Sequence, residues 1–548
     1  MTPELQRIIE AERALMAGHL DRAAELAQHV LLSRPEAGLA LNVLGILAAK
    51  RGDVPTAVLL WESATRAAPA LPQPWVSLGE AFFHIGQPDK TVRCFREALA
   101  RNPDLHDVRA NLGVALQNLG QHEDAVQELR RALAAKPDHA EAAVALATSL
   151  YHLGRTQQAV DVLTEASRKH PSHAKILSNL GVLHEKLDQP ESAIGWYDKA
   201  LAIAPDDAQT RFNRGSSLIQ LLRIPEARAD WQAALRLDPN NATTATNLAI
   251  LELLDGNLPL GFDLFEHRWA VRHRKFPIPA PEWDGSSLDG RHILLFVEQG
   301  LGDMLQFCRF VPVLKRKYPT SRITLVTLPT LHGLLRSLAG VDGVADVNPP
   351  YPPADCQLSL LSVPRVLGTT LETLPAEVPY LHADPARIER WKPVLDRHAG
   401  SARPRIGLFW QGTKVDENRT IRLAELAPLW SAAPSACFFS LQKGPGEEEV
   451  EGFPHPLVPL GHELLDYADT AAVLSLLDVV VTIDTSLAHA AGALGRRTFT
   501  LLPFRPDWRW LLDRTDCPWY PTMKLFRQTR RKDWSSPVAA LCRELAHI

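Results

Sequence analysis

The chain of 548 residues is too long for one hydrophobic core, so two to four folding units are expected. Its 46% hydrophobic and 22% charged residues are those of an ordinary globular protein. A formal net charge of −4 excludes a nucleic-acid partner held by overall charge.

The first segment, Met1 to Leu15, mixes Glu4, Arg7, Glu10, Glu12 and Arg13 with apolar residues and reads as an amphipathic helix rather than a signal sequence. From there a ruler of 34 residues runs down the first half. Pro35, Pro69, Pro103, Pro137, Pro171, Pro205 and Pro239 keep that spacing. So do Gly45, Gly79, Gly113, Gly181 and Gly215, with Ala147 in the gap, and a row of alanines from Ala64 to Ala234. Small residues let two antiparallel helices approach closely, and proline stops the second of each pair. Each pair leaves an apolar face that only the next pair can cover, so such units stack into a superhelix. Gly52, Gly86, Gly120 and Gly154 fall at the turn inside each pair.

This pattern resembles the tetratricopeptide repeat, with seven repeats between Glu4 and Asn241 and a degenerate eighth ending near Lys275. Asn111, Asn179, Asn213 and Asn247 share one position on the first helix of their pairs. A primary amide donates and accepts at once, which suits gripping a peptide backbone, and it equally suits satisfying a neighbouring helix end. Both readings stay open. The row resembles the asparagine ladder of the eukaryotic O-GlcNAc transferase solenoid, which implies a protein acceptor in the groove. Oligomerisation through the repeats is a further expectation. The basic run Arg268, Arg272, His273, Arg274 and Lys275 reads as a solvated helix end.

A proline- and glycine-rich break from Phe276 to Gly290 ends the array. Beyond it short apolar strands alternate with helices. Strands are expected at His292–Val297, Arg322–Thr327, Arg405–Trp410, Cys437–Leu441, Asp478–Ile483 and Thr498–Leu502. Helices are expected at Met304–Tyr318, Leu423–Trp430, Thr470–Leu477 and Leu487–Leu494. That alternation implies parallel sheets. The expected organisation is an all-α solenoid over 1–275, a Rossmann-like domain over 276–384, a linker over 385–404 and a second Rossmann-like domain over 405–548. Val473 to Ile483 is broken by Ser475 and Asp478, and no apolar run reaches the length of a membrane span. Six cysteines without a C-x-x-C pair suggest free thiols in a reducing compartment. A cytoplasmic location is therefore expected.

In open parallel sheets ligands bind beyond the carboxyl ends of the strands. The first such loop is Glu298-Gln-Gly-Leu-Gly-Asp303, where Gly300 and Gly302 permit a tight turn and Asp303 opens the next helix. Capping that helix is the plain role for Asp303. A second loop carries Lys414 and Arg419 where cations would meet phosphates, or simply solvent. Ser440-Leu-Gln-Lys-Gly444, with Gln442 at its centre, is a third and fits the frame of a nucleoside. The fourth is Asp484-Thr-Ser-Leu-Ala-His489, whose Thr485, Ser486 and bare amides at a helix start form a ready anion site, with His489 on the following turns.

Together with Leu502-Pro-Phe-Arg-Pro-Asp-Trp-Arg-Trp510, these loops resemble the heptosyltransferase-like (family 9-like) glycosyltransferases of the GT-B fold, in the form fused behind tetratricopeptide repeats in bacteria. The resemblance covers Trp283 to the C-terminus. It implies an inverting, metal-independent transfer from a nucleotide-sugar co-substrate, with no cofactor. It maps the catalytic base onto Asp303 and the carboxylate beside the sugar onto Asp484. The anion loop falls on Thr485, Ser486 and His489, and the phosphate lysine on Lys414. Ser486 replaces a family glycine, which puts heptose itself in doubt. Related fusions point to flagellin or another cell-surface protein as acceptor. An envelope carbohydrate or lipid acceptor, or a non-catalytic scaffold, are the alternatives. Trp508, Trp510, Trp519 and Tyr520 read as packing in the domain seam rather than as a stacking platform.

Overall fold

The computed structural model describes residues 2–272, 278–412 and 419–548. Lys414, His273, Arg274 and Lys275 lie outside the described residues, and so does the start of the proline-rich break. The chain divides into two compact units, 1–218 and 219–548. The division falls inside the helix Ala208–Gln220, well before the boundary near 275 that the repeat count suggests.

Among the described residues, twelve helices from Pro3–Met16 to Pro190–Ile203 form six pairs in the first unit; after Ala208–Gln220 and Ile224–Leu237, the helices Ala242–Leu254 and Leu258–Phe265 form a further pair in the second, followed by the short helix Arg268–Arg272. In the first unit the ruler has a direct physical cause. A Cβ on Gly45, Gly79, Gly113 or Gly181 would come within 2.4–2.6 Å of Trp61, Phe95, Leu129 or Tyr197 respectively. Each obstacle stands sixteen residues on, at one position of the paired helix, so the small residue makes room for the large one. The turn inside the pair needs a left-handed residue. Glycine provides it at Gly52, Gly86, Gly120, Gly154 and Gly256, whereas Asp188 and Leu222 adopt it at φ 58° and 55°.

The second unit holds two sheets, each wholly parallel. In the first lobe β1 (His292–Phe296), β2 (Arg322–Thr327), β3 (Gly343–Asp346) and β4 (Cys356–Ser359) take the order β3-β2-β1-β4. In the second, β5 (Arg405–Leu408), β6 (Cys437–Ser440), β7 (Val458–Pro459), β8 (Val479–Ile483), β9 (Thr498–Leu502) and β10 (Met523–Arg527) take the order β10-β9-β8-β5-β6-β7. Counted from β5, that is the 3-2-1-4-5-6 succession of the doubly wound nucleotide-binding fold. All residues of β5, β8 and β9 are buried, as both-faces-covered strands require.

The six expected strands are present to within two residues at their ends. The expected helix Met304–Tyr318 is instead two, Leu301–Phe307 and Phe310–Lys317. The expected linker 385–404 is mostly a helix, Pro385–Ala399, fastened to the second lobe by Trp391 Nε1 on Asp469 (3.2 Å) and by the Arg387–Asp466 pair (2.8 Å).

Candidate functional site

A cavity of about 740 Å³ opens between the two lobes, within the range of small-ligand sites. Its walls are the segments after β1, β2, β5, β6, β7 and β8, all beyond carboxyl ends of strands. In the second lobe the strand order reverses between β8 and β5, and both of their following loops face the cavity. A crevice at such a switch point is where open parallel sheets bind ligands.

Four helices begin at this cavity, and their N-termini differ; Pro329–Leu335, after Leu328, has no side-chain cap and opens on a proline that has no N–H to offer. The helix Leu301–Phe307 is closed by Asp303, whose Oδ2 accepts from the Gly300 N–H at 2.8 Å. The helix Tyr467–Ser475 is closed by Asp466, which accepts from Ala468 N–H and Asp469 N–H. The helix Ser486–Ala493 follows Thr485, which makes no side-chain cap. Within the first turn the Ala488 N–H donates to the Thr485 carbonyl at 3.1 Å, while Ser486 and Leu487, whose N–H groups no side chain caps among the described residues, line the cavity where an anion would sit. The Tyr467 hydroxyl donates to Ser486 Oγ at 2.5 Å, and both residues line the cavity.

Charge around that terminus is arranged in a chain. Arg419 lines the cavity, 3.1 Å from Asp484 Oδ2 and 3.5 Å from Asp507 Oδ2. Burial raises the Asp484 carboxyl to about 6, with Asp507 adding to the rise and Arg419 opposing it. Burial acts on Asp507 too, but Arg509 and Arg419 outweigh it and hold that carboxyl below its usual range. Arg509 then bridges Asp507 at 2.8 Å, Gln306 Oε1 at 2.8 Å and Asp303 Oδ1. Burial pushes the Asp303 carboxyl up, and the Arg509 charge works against that.

Of the residues singled out by sequence, Gly300, Gly302, Arg419, Asp484, Thr485 and Ser486 line the cavity. Asp303, Gln442 and His489 stand behind it. Both Asp303 oxygens are engaged, one as the cap and one in the inter-lobe pair. Gln442 is fully buried: its oxygen accepts from the N–H of Trp410 and Gln411, and its amide donates to Gln411 and Pro445 carbonyls. That leaves it no valence for a nucleoside. The expectation that His489 faces the anion is corrected: it is buried in the seam, stacked on Trp510 at 5.3 Å with Nδ1 3.0 Å from the Tyr520 hydroxyl. Burial lowers it to about 3, so at neutral pH it carries no charge. The packing role expected of Trp508, Trp510, Trp519 and Tyr520 is what is found, all four being buried.

Sequence reasoning passed over Lys443 and Tyr467, which line the cavity. Lys443 stood beside the chosen Gln442, and alternation along an extended loop sends one neighbour inward and the other out. In the repeats, Asn111 is exposed and Asn179 and Asn213 half-buried, all within helices. Asn213 accepts from Gln209 at 2.9 Å. Among the described residues neither Asn111 nor Asn179 caps a helix end. Asn247 is half-buried in the second unit.

The Tetratricopeptide repeat family model matches residues 10–72, 76–140, 111–166, 144–208 and 212–266. The helical half is a tetratricopeptide array. Repeats of this kind indicate a protein-interaction scaffold. Protein FlbA of Caulobacter vibrioides is 26% identical over 359 residues, covering 60% of this chain and 59% of that protein. The chain thus spans about three fifths of the length of the curated relative it matches, and the matched stretch is longer than the helical array. Among solved structures, YrrB, a TPR protein with an unusual peptide-binding site, is 21% identical with a TM-score of 0.32, covering 34% of this chain and 96% of that one. MamA is 22% identical with a TM-score of 0.28, covering 30% and 97%. No helix among the described residues is long and apolar enough to cross a membrane.

Proposed function

We propose that the second unit is a GT-B glycosyltransferase, inverting and metal-independent, that moves a sugar from a nucleotide-sugar to a serine or threonine hydroxyl of a protein held by the array. Flagellin or another surface protein is the acceptor class in view, and the cytoplasm the compartment. The observation that carries this reading is the uncapped start of the helix Ser486–Ala493, opening with Arg419 onto a cavity at the strand switch point. A nucleoside diphosphate fits that combination of bare N–H groups, serine hydroxyl and cation.

In the reaction the acceptor O–H gives its proton to a carboxylate and its oxygen bonds the anomeric carbon. The bond from that carbon to the diphosphate breaks, and the electron pair leaves on phosphate. Arg419, Lys443 and the helix N-terminus take up the charge, with Lys414 as a further proposed cation. Asp303 is the proposed base, and its raised affinity for protons suits the task. It must first be released by Arg509. The Asn111, Asn179, Asn213 and Asn247 amides are the proposed grip on the acceptor backbone.

Thermal denaturation across a panel of nucleoside diphosphates and their sugars tests this reading. One base should stabilise the protein, by about 2.7 kcal/mol at a hundredfold excess over Kd. Arg419→Ala should lose that shift. If no member of the panel stabilises the wild-type protein, the reading fails. The engaged Asp303 favours one second reading, a nucleotide-binding scaffold without transfer. Stabilisation by nucleotide with no sugar mass gained by any co-purified acceptor would select it.

A further inference from the structure

The eighth repeat packs against both lobes. Phe262, 1% exposed on the helix Leu258–Phe265, meets Phe307 of the first lobe edge-on at 6.5 Å and Trp508 of the second at 5.8 Å. Next along the chain, Arg268 was expected to be solvated, and it is 1% exposed. Its Nε donates to Glu298 Oε1 at 2.7 Å, Nη1 to Glu266 Oε1 at 2.7 Å and to the Phe265 carbonyl at 3.1 Å, and Nη2 to Ser362 Oγ at 2.8 Å. Glu298, its side chain 3% exposed, uses its other oxygen to accept from Ser359 at the end of β4. Gln299 and Gly300, the next two residues, are walls of the cavity.

We infer that the eighth repeat is a supporting wall of the cleft, in which Phe262 fixes the two lobes against each other and Arg268, through Glu298, is the positioning residue of the 299–303 loop. A buried guanidinium with four partners has one geometry, and the carboxylate it grips stands two residues before Gly300. The purpose of that placement rests on the cleft being the reactive site proposed above; the placement itself does not.

Hydrogen exchange on the full-length protein without ligand tests it. Arg268→Met leaves Glu298 buried without its cation, so amides of 299–303 should exchange about tenfold faster or more, while those of β8 and β9 stay unchanged. Adding Glu298→Gln to that variant should restore most of the protection, because the buried charge is gone and the Glu266 carboxylate, 20% exposed, has water beside it. Should Arg268→Met not fold, Arg268→Lys and Phe262→Leu carry the same measurement, lysine keeping charge but losing the fork. Unaltered exchange at 299–303, or a rise spread equally over both sheets, overturns the inference. A wild-type protein that binds no nucleoside diphosphate would overturn the proposed function and leave this exchange pattern standing.

Discussion

Asp484 holds its charge against its surroundings. Its side chain is 6% exposed and its carboxyl is raised from 3.8 to about 6 by burial first and Asp507 second. A folded value above the unfolded one means that protonation favours the fold. Below about pH 4 both states are protonated, between about 4 and 6 only the unfolded chain ionises, and above 6 the folded protein bears the whole cost, on the order of 2–3 kcal/mol. Asp484→Asn removes that cost, while Arg419 keeps Asp507 as a partner. The variant should therefore melt higher than wild type above pH 6, with the gain shrinking toward zero at pH 4. A gain that does not change across a pH series of melts would refute the assignment. Two glycines of the first loop also part company. Gly300 has only the Asp303 carboxylate near its missing Cβ, at 3.8 Å, whereas a Cβ on Gly302 would stand 2.8 Å from the His489 ring. That ring is held by Trp510 and Tyr520. Gly302→Ala should cost about 1–3 kcal/mol in denaturant unfolding and Gly300→Ala much less. In the sequence both looked like ligand-side glycines, because the partner that needs Gly302 lies in another lobe.

Among the elements, those whose cause is local were readable and those whose cause is distant were not. The 34-residue spacing exposed every repeat, since each small residue answers a large one at fixed separation along the chain. Buried strands such as β8 announced themselves as apolar runs. β3 did not: its four residues, Gly343 to Asp346, are only half-buried, and neither length nor pattern marks them. β10 carries Lys524 and Arg527 among its apolar residues and lies at the sheet edge beside β9, so it reads as irregular chain. At the site, the switch-point loops were legible from strand order, but the direction of Gln442 and His489 was fixed by seam packing that no local pattern encodes. The repeat turns supply a test at this scale. Leu222 occupies with φ 55° the place that glycine fills in other repeats. Leu222→Gly should stabilise the protein by about 0.5–1 kcal/mol, the left-handed strain relieved less the extra chain entropy of glycine. The urea midpoint should rise with an unchanged slope; a fall would show that Leu222 packs more than it strains.

For the whole molecule, the division at 218/219 and the burial of Phe262 and Arg268 bear on where the protein can be cut. The repeat count alone suggests that an α/β fragment beginning at 276 would stand by itself. Physical accounting of the seam says otherwise. Without the eighth repeat, Phe307 and Trp508 lose the ring that covers them, at about 2–3 kcal/mol for one large apolar side chain. Glu298 then stays inside without its cation, about 3–5 kcal/mol more. Together these approach the 5–15 kcal/mol that holds a typical domain folded. A fragment of residues 207–548 keeps the four helices from Ala208–Gln220 to Leu258–Phe265 and every one of these contacts. It should purify as a monomer with one cooperative melt, whereas 276–548 should aggregate or show no such transition by calorimetry. If the shorter fragment melts as sharply as the longer, the eighth repeat is an appendage of the array and the lobes support themselves.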